Sequence, residues 1–289
     1  MSELVSSRGA VVVTGASTGI GRHAAETLVA RGFRVFAGAR KKADLDALAA
    51  AGASPLEIDV ASDESVTRAA ARVSESLGGA PLVGLVNNAG IAVGGPVEYV
   101  ALDEVRRQLE VNTYGALRAT QAMMPFLRRP DARGRRGRIV NISSMAGRFT
   151  TPLLSPYCLS KHALEAMSDA LRMELSPWSM PVVVIEPGVV KTPIWEKGDD
   201  EIERAVAALP EEGRARYEES ARALASFFKV ANTRGVSVEA TTSAIWHALV
   251  DDRPRPRVVV GLDAKFAVML QAVLPRRLLD RLYRRSLGI

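Results

Sequence analysis

The chain has few of the residues that form cross-links and metal clusters. Among its 289 residues there is one cysteine, Cys158, which excludes an internal disulfide and a metal cluster held by cysteines. The three histidines, His23, His162 and His247, are far apart and lack the spacing of a zinc-binding helix. We therefore expect no metal.

Long apolar runs are also missing. No stretch approaches the roughly 18 apolar residues that span a bilayer, and none precedes the first predicted strand as a signal peptide would. Aromatic residues make up only 5%, so the core must consist mainly of Ala, Val, Leu and Ile. With 47% hydrophobic and 24% charged residues, the composition is that of a globular protein. We expect a cytoplasmic protein built as one large α/β domain.

The positive charge is uneven. The net charge is +6, and residues 251–289 hold nine Arg and Lys against four Asp. A basic tail can bind nucleic acid or anionic lipid, but it can equally be a solvated helix face. No aromatic stacking platform and no nucleic-acid reader motif accompany it, so we expect no nucleic-acid partner.

Strand-like and helix-like segments alternate along the chain. The strand-like runs are continuous Val, Ile and Leu, which is typical of parallel strands buried on both faces. The pattern predicts an α/β fold with a doubly wound parallel sheet, the Rossmann fold. Predicted strands cover 10–15, 33–39, 54–60, 81–90, 137–144, 181–188 and 257–261, and predicted helices cover 20–31, 43–51, 63–77, 103–128, 156–175 and 236–250.

Two segments depart from this alternation. Residues 193–235 are rich in charge and Ala and predict a helical insert on the substrate side of a domain that covers 1–262. Residues 263–289 predict a basic amphipathic helical extension. Such an extension can make weak contact with a membrane surface, cover a substrate pocket or pack on another subunit.

The first predicted strand runs into a glycine-rich turn, Thr14-Gly-Ala-Ser-Thr-Gly-Ile-Gly21, and a helix follows at once. Glycines allow a tight turn and a close approach to a pyrophosphate, and the helix N-terminus supplies N–H groups to it. The turn alone is a weak signal. Its place at the first strand–helix junction favours a dinucleotide site.

The second predicted strand ends in Ala39, and Arg40, Lys41 and Lys42 follow. In dinucleotide folds an acidic residue here binds the ribose hydroxyls of NAD, whereas arginine accommodates the 2′-phosphate of NADP. The sequence therefore favours NADP(H) over NAD(H). The alternative is a solvated basic cluster at a helix start.

Tyr157 and Lys161 are four residues apart in a predicted helix, which places them on one face. Free tyrosine has a pKa of about 10 and is a poor base near neutral pH. We expect the lysine ammonium to lower that pKa and so to prepare the tyrosine for acid–base chemistry. Taken alone, the two residues could equally be a surface pair.

Several motifs occur in one order along the chain: TGASTGIG at 14–21, NNAG at 87–90, VNTYG at 111–115, ISS at 142–144, YCLSK at 157–161 and PGVVKT at 187–192. This set resembles the short-chain dehydrogenase/reductase family in its single-domain branch. The phrases around 157–167 and 187–195 are similar to those of its hydroxysteroid and retinol dehydrogenase members.

The resemblance implies four catalytic residues. Ser144, thirteen residues before Tyr157, would polarise the substrate oxygen, and Tyr157 would donate or accept the proton. Lys161 would lower the pKa of Tyr157 and bind the nicotinamide ribose. Asn112 would hold a water in a proton relay to Lys161.

The resemblance also implies a cofactor-binding set at the ends of the first four predicted strands and of the sixth, together with two residues of the helix at 156–175. Within it, Asp59 and Val60 match the pair at the adenine ring, and Thr192 would lie near the nicotinamide carboxamide. The full set is Gly15, Ser17, Thr18, Gly19, Ile20, Gly21, Arg40, Asp59, Val60, Asn88, Ala89, Gly90, Tyr157, Lys161, Pro187, Gly188, Val190 and Thr192.

The expected activity is hydride transfer between NADP(H) and a secondary alcohol, ketone or aldehyde. An apolar pocket, and with it a steroid-, retinoid- or polyketide-like substrate, is indicated by candidate wall residues Met145, Phe149, Leu153, Leu154, Ile194 and Trp195. Arg148 could instead bind an anionic group. The alternative is a non-catalytic NADP-binding regulatory protein.

The resemblance also implies a homo-dimer or homo-tetramer that forms through the helices at 103–128 and 156–175.

Overall fold

Seven parallel strands form one sheet at the centre of the molecule. The structure is a computed structural model that describes residues 8–191 and 204–287. The strand order is β3-β2-β1-β4-β5-β6-β7. Strands β2 and β3 thus lie on one side of β1, and β4 to β7 lie on the other side. The strands are β1 (Ala10–Val13), β2 (Arg34–Ala39), β3 (Ser54–Glu57), β4 (Leu82–Asn87), β5 (Arg138–Ile142), β6 (Val182–Pro187) and β7 (Arg257–Val260).

Helices connect the strands and cover both faces of the sheet. They are α1 (Gly19–Ala30), α2 (Lys42–Ala50), α3 (Asp63–Leu77), α4 (Leu102–Leu109), α5 (Gly115–Leu127), α6 (Ser155–Leu175), α7 (Glu211–Arg234), α8 (Val238–Val250), α9 (Leu262–Val273) and α10 (Arg276–Leu287). A π-helical turn, Glu110–Tyr114, joins α4 to α5, so the helical range 103–128 is one interrupted helix pair.

The predicted fold class is confirmed, and so is the order of strands and helices. Helix α3 begins and ends at the residues that the sequence predicts, because both ends are capped. The Ser62 hydroxyl accepts a hydrogen bond from Ser65 N, and Gly78 adopts the left-handed conformation after the last turn.

The core has one layer on each face of the sheet. Alternate residues of β1 divide between them, with Val11 and Val13 facing α1 and α8, and Val12 facing α3 and α5. All four residues of β1 and all six of β6 are buried. Burial on both faces is the reason that these strands read as continuous apolar runs.

The C-terminal helices pack beside the carboxyl ends of the strands. In α9, Asp263 and Ala264 lie against Gly188, where an added β-carbon would be 3.1 Å from Asp263 Oδ2. In α10, the Tyr283 hydroxyl is 3.0 Å from Thr151 Oγ1, and Leu287 is buried. One face of the extension therefore packs against the segments that follow β5 and β6. In the part of the chain that the structure describes, no helix combines the length and the apolar character needed to cross a bilayer.

Candidate active site

A cleft of about 360 Å³ opens at the carboxyl ends of the strands. This is where ligands bind in doubly wound sheets. The residues of the predicted set that line it are Gly15, Ser17, Thr18, Gly19, Ile20, Arg40, Asp59, Val60, Asn88, Ala89, Gly90, Ser144, Tyr157, Lys161, Pro187, Gly188 and Val190. Thr192, together with the wall candidates Ile194 and Trp195, lies outside the described residues.

The glycine-rich turn is held in place by the end of β4. The hydroxyl of Thr14 accepts hydrogen bonds from the backbone N–H groups of Asn88 and Ala89, at 3.0 and 3.1 Å. The Asn88 amide donates to the carbonyls of Thr14 and Gly15, at 3.1 and 2.9 Å. These contacts hold Asn88 beside the glycine-rich turn, where it lines the cleft.

The turn has the features that a pyrophosphate needs. Gly15 and Gly19 have φ values of 63° and 57°, which other residues seldom adopt. No side chain caps the N-terminus of α1 at Thr18, so the N–H groups of its first turn face the cleft without a side-chain acceptor. The residues present therefore fit a dinucleotide.

Gly21 does not line the cleft. A β-carbon there would be 2.3 Å from both Asn88 Nδ2 and Gly15 O, so only glycine lets α1 approach the turn. Its part in the cofactor site is this close packing.

Arg40 stands at the far end of the cleft, directly after β2. Its Nη1 is 3.6 Å from Asp59 Oδ2, and its side chain is 67% exposed. Asp59 Oδ1 also accepts a hydrogen bond from Ala61 N at 3.1 Å. The carboxyl end of β2 thus presents a cation to the cleft, and the carboxylate beside it comes from the end of β3.

Ser144, Tyr157 and Lys161 meet in the middle of the cleft, and all three are buried. The hydroxyls of Ser144 and Tyr157 share a hydrogen bond. Lys161 Nζ donates to the carbonyl of Ile142 at 2.8 Å and lies 5.7 Å from the centre of the Tyr157 ring. The i, i+4 spacing on α6 thus places both residues at one site.

The expected lowering of the Tyr157 pKa is wrong for this structure. Burial raises the pKa of Tyr157 to about 12, although the hydrogen bond to Ser144 acts in the opposite direction. Burial also lowers the pKa of Lys161 to about 8, against the effect of Glu165. Removing each charged form from water therefore outweighs any attraction between the two side chains.

Asn112 lies in the π-helical turn, behind the cleft. Its Oδ1 accepts from Ile91 N at 2.9 Å, and its Nδ2 donates to Ile91 O and Ser160 Oγ at 3.0 and 3.1 Å. Ser160 Oγ in turn donates to the carbonyl of Tyr157 at 2.7 Å. The side chain of Asn112 thus ties the segment after β4 to the helix that carries Tyr157. The water relay stays a prediction.

The sequence reasoning missed a partly buried ionic network around Glu186, whose own side chain is fully buried. Arg148 Nε donates to Glu186 at 2.7 Å, and Arg257 Nε lies 3.2 Å from the other oxygen of Glu186. Arg257 also binds Glu165 and Asp169 at 2.8 to 3.1 Å. A visible signal was available, because Glu186 interrupts an otherwise apolar strand.

Arg107 also lines the cleft and was not singled out. It reaches the site from α4, where it pairs with Glu104 at 2.6 Å, and no motif marks it. Only the packing of α4 over the strand ends brings it there. Across the two described ranges, no group of three or more His, Cys, Asp or Glu side chains could hold a metal.

Comparisons with known proteins agree with this geometry. The short chain dehydrogenase profile matches residues 9–203. The chain is 34% identical to an NADPH-dependent 3-dehydrocapnine reductase of Ornithobacterium rhinotracheale, over 96% of each chain. It is 34% identical to retinol dehydrogenase 5 of Mus musculus, over 93% of this chain and 86% of the relative. A short-chain dehydrogenase crystal structure from Streptomyces avermitilis matches with a TM-score of 0.75 and 31% identity, over 100% of this chain and 99% of the other.

The chain belongs to the short-chain dehydrogenase/reductase family. It is an NAD(P)-dependent oxidoreductase that acts on CH–OH groups.

Proposed function

We propose that the chain interconverts a bulky lipophilic alcohol with its ketone or aldehyde and prefers NADP(H) to NAD(H). The nicotinamide, when bound, exchanges a hydride with the substrate carbon. In the direction of reduction the Tyr157 hydroxyl donates the proton to the substrate oxygen. Ser144 holds that oxygen by a hydrogen bond, and Lys161 supplies a positive charge beside it.

The preference for a lipophilic substrate rests on the apolar cluster around Tyr157. Buried side chains from five segments of the chain form this cluster together with Tyr157. They are Ala92, Leu153, Leu154, Cys158, Val206, Ala221, Leu224, Phe228 and Leu287. Arg148, the cation that could have bound an anionic substrate, is instead paired with buried Glu186. The retinol dehydrogenase name of one relative agrees with this proposal.

The preference for NADP(H) rests on Arg40. It lines the cleft immediately after β2, where a carboxylate would bind the ribose of NAD. A relative is named as NADPH-dependent. The exposed guanidinium, only loosely paired with Asp59, can turn toward a 2′-phosphate.

Replacement of Arg40 tests the cofactor proposal. We expect Arg40→Ala to weaken NADPH binding at least about tenfold, because a charge-assisted contact to phosphate contributes roughly 1.5–3 kcal/mol, and to leave NADH binding nearly unchanged. Titration of nicotinamide fluorescence measures both. Lys42→Ala is the matched control, because Lys42 pairs with Asp46 on the helix surface. The proposal would be contradicted if the two variants lost NADPH affinity equally, or if the wild type bound NADH more tightly than NADPH.

Replacement of Tyr157 tests catalysis. Tyr157→Phe should keep NADPH affinity within a few-fold and lower turnover at least about a hundredfold, because the proton donor is removed while the ring remains. Single-turnover oxidation of NADPH with a bulky aromatic ketone is the measurement. Near wild-type turnover would remove Tyr157 from the mechanism. If even the wild-type chain bound NADPH without turnover on a broad ketone panel, the alternative of a regulatory NADP-binding protein would replace the proposal.

We also propose a homo-dimer or homo-tetramer that uses α4, α5 and α6. Large apolar side chains on these helices and the π turn between them are exposed, namely Leu102, Tyr114, Leu159 and Met173. A subunit contact across these helices would cover these side chains. Light scattering of the purified chain tests this oligomer, and a monomer would contradict it.

The cytoplasmic location stays a prediction, and so does the boundary between the domain and its extension at residue 262.

A further inference from the structure

Helix α9 carries a stripe of large apolar side chains that nothing in the described part of the chain covers. Leu262, Phe266, Met269 and Val273 are 85, 56, 54 and 70% exposed. Their spacing of four, three and four residues places them on one face of the helix. A row of four such residues is unusual on the surface of a soluble monomer and indicates a contact with another protein molecule or with a membrane.

Helix α10, which follows after Pro275, also exposes apolar side chains, and these lie beside positive charge. Leu278 and Leu282 are exposed one turn apart, and Arg281 and Arg285 flank them. Residues 262–287 hold six Arg and Lys against two Asp, so the segment carries a net charge of +4. We call these exposed residues of α9 and α10 the outer face.

The opposite sides of both helices are already used within the chain. Asp263 lies against Gly188 and Gln271 Nε2 donates to the carbonyl of Arg148 at 3.2 Å. Tyr283 stacks on Phe149, with ring centres 6.3 Å apart, and its hydroxyl meets Thr151. These contacts fix the orientation of the two helices, so the outer face points away from the domain.

The charge decides between the two partners that an apolar stripe can have. A second copy of the chain meeting this face by two-fold symmetry would bring +4 against +4. An anionic bilayer instead attracts the arginines and takes up the apolar side chains, while the long Arg side chains keep their charges at the headgroups. We propose that the outer face of α9 and α10 docks on the surface of an anionic lipid bilayer.

Docking in this orientation has a consequence for substrate supply. The inner side of α10 contributes Tyr283 and Leu287 to the apolar cluster that contains Tyr157. The bilayer would therefore lie one helix thickness from the substrate side of the cleft. This consequence, unlike the docking itself, rests on the proposed lipophilic substrate.

Vesicle co-sedimentation of the full chain, without substrate, tests the docking. We expect binding to mixed phosphatidylglycerol and phosphatidylcholine vesicles, weak binding to phosphatidylcholine alone, and a large loss at high salt. Phe266→Ser with Met269→Ser, and separately Arg281→Gln with Arg285→Gln, should each lower the binding at least about tenfold. The matched controls are Val97→Ser with Val230→Ser, which alters similarly exposed apolar side chains, and Arg68→Gln with Arg72→Gln on α3. Both controls should bind as the wild type does.

Three results would overturn the proposal. They are equal binding to neutral and anionic vesicles, equal losses in the variants and their controls, and a changed oligomeric state in the Phe266/Met269 variant with vesicle binding intact. The last would assign the outer face to a second copy. Thermal melting and NADPH binding, which none of these substitutions should alter, show that each variant is folded. Because no turnover is measured, a failure here leaves the proposed function untouched.

Discussion

Burial raises the pKa of Tyr157 and lowers the pKa of Lys161. With a pKa of about 12, Tyr157 keeps its proton throughout the neutral range and is ready to act as an acid. Lys161, with a pKa of about 8, is charged below that pH and loses its charge as the pH rises through it. Loss of the charge on Lys161 should therefore limit catalysis on the alkaline side.

Glu165 is one turn after Lys161 on α6 and favours the charged form of the lysine. Glu165→Gln removes that effect, so the pKa of Lys161 should fall further. We expect the alkaline limb of kcat/KM for ketone reduction to move to lower pH. A pH profile of the purified enzyme measures this shift.

Asp169→Asn is the control for Glu165→Gln. Asp169 binds the same Arg257, yet it is not among the charges that shift the pKa of Lys161. The network should be weakened in both variants, but only Glu165→Gln should move the alkaline limb. An unmoved limb in Glu165→Gln, or an equal movement in both variants, would show that the network acts only on stability.

At the scale of elements, the first strand–turn–helix unit depends on one missing side chain. Helix α1 starts so close to the turn after β1 that a β-carbon on Gly21 would overlap Asn88 and Gly15. The two groups that the β-carbon would meet are the backbone of Gly15 and the side-chain amide of Asn88, which makes two hydrogen bonds. Moving either group away would therefore cost free energy. The glycine therefore sets the geometry of the turn without touching a ligand.

Gly21→Ala should weaken NADPH binding at least about tenfold and lower the melting temperature by several degrees, because overpacking costs roughly 1–3 kcal/mol. Fluorescence titration and thermal melting measure the two effects. In Gly78→Ala a β-carbon meets nothing within 4 Å but the φ of 56° is strained. This control should lose a little stability and no NADPH affinity. Unchanged NADPH affinity in Gly21→Ala would contradict the packing role.

At the scale of the whole molecule, the C-terminal helix completes the substrate side. Leu287 and Tyr283 close a cluster to which α6, α7 and the segment after β5 also contribute. Segments more than a hundred residues apart in sequence, such as those of Leu153 and Leu287, thus form one apolar wall. Substrate size should be set by this assembly.

Ending the chain after Leu274 removes α10 and uncovers this wall. We expect the melting temperature to fall by roughly 5–10 °C, because buried Leu287 and partly buried Tyr283 are lost. The ratio of kcat/KM for a bulky ketone to that for a small one should also fall, because the bulky ketone loses apolar contacts. Arg281→Gln with Arg285→Gln, which keeps the inner side of α10, should change neither quantity. An unaltered ratio in the shortened chain would separate α10 from specificity.

The sequence by itself determined the fold class and most of the cleft. Strands such as β1 and β6 are buried on both faces, and that burial shows directly as runs of Val and Ile. The glycine-rich turn and the Tyr157–Lys161 pair are local in sequence, so their spacing predicts their geometry.

Only the tertiary structure decided what depends on distant segments. Arg257 reaches Glu165 across 92 positions, and Arg107 enters the cleft through the packing of α4. The rise of the Tyr157 pKa also depends on the whole fold, because it is caused by burial, which local spacing does not specify. Local spacing specifies which groups can meet, whereas solvent exclusion and long-range pairing specify what those groups can do.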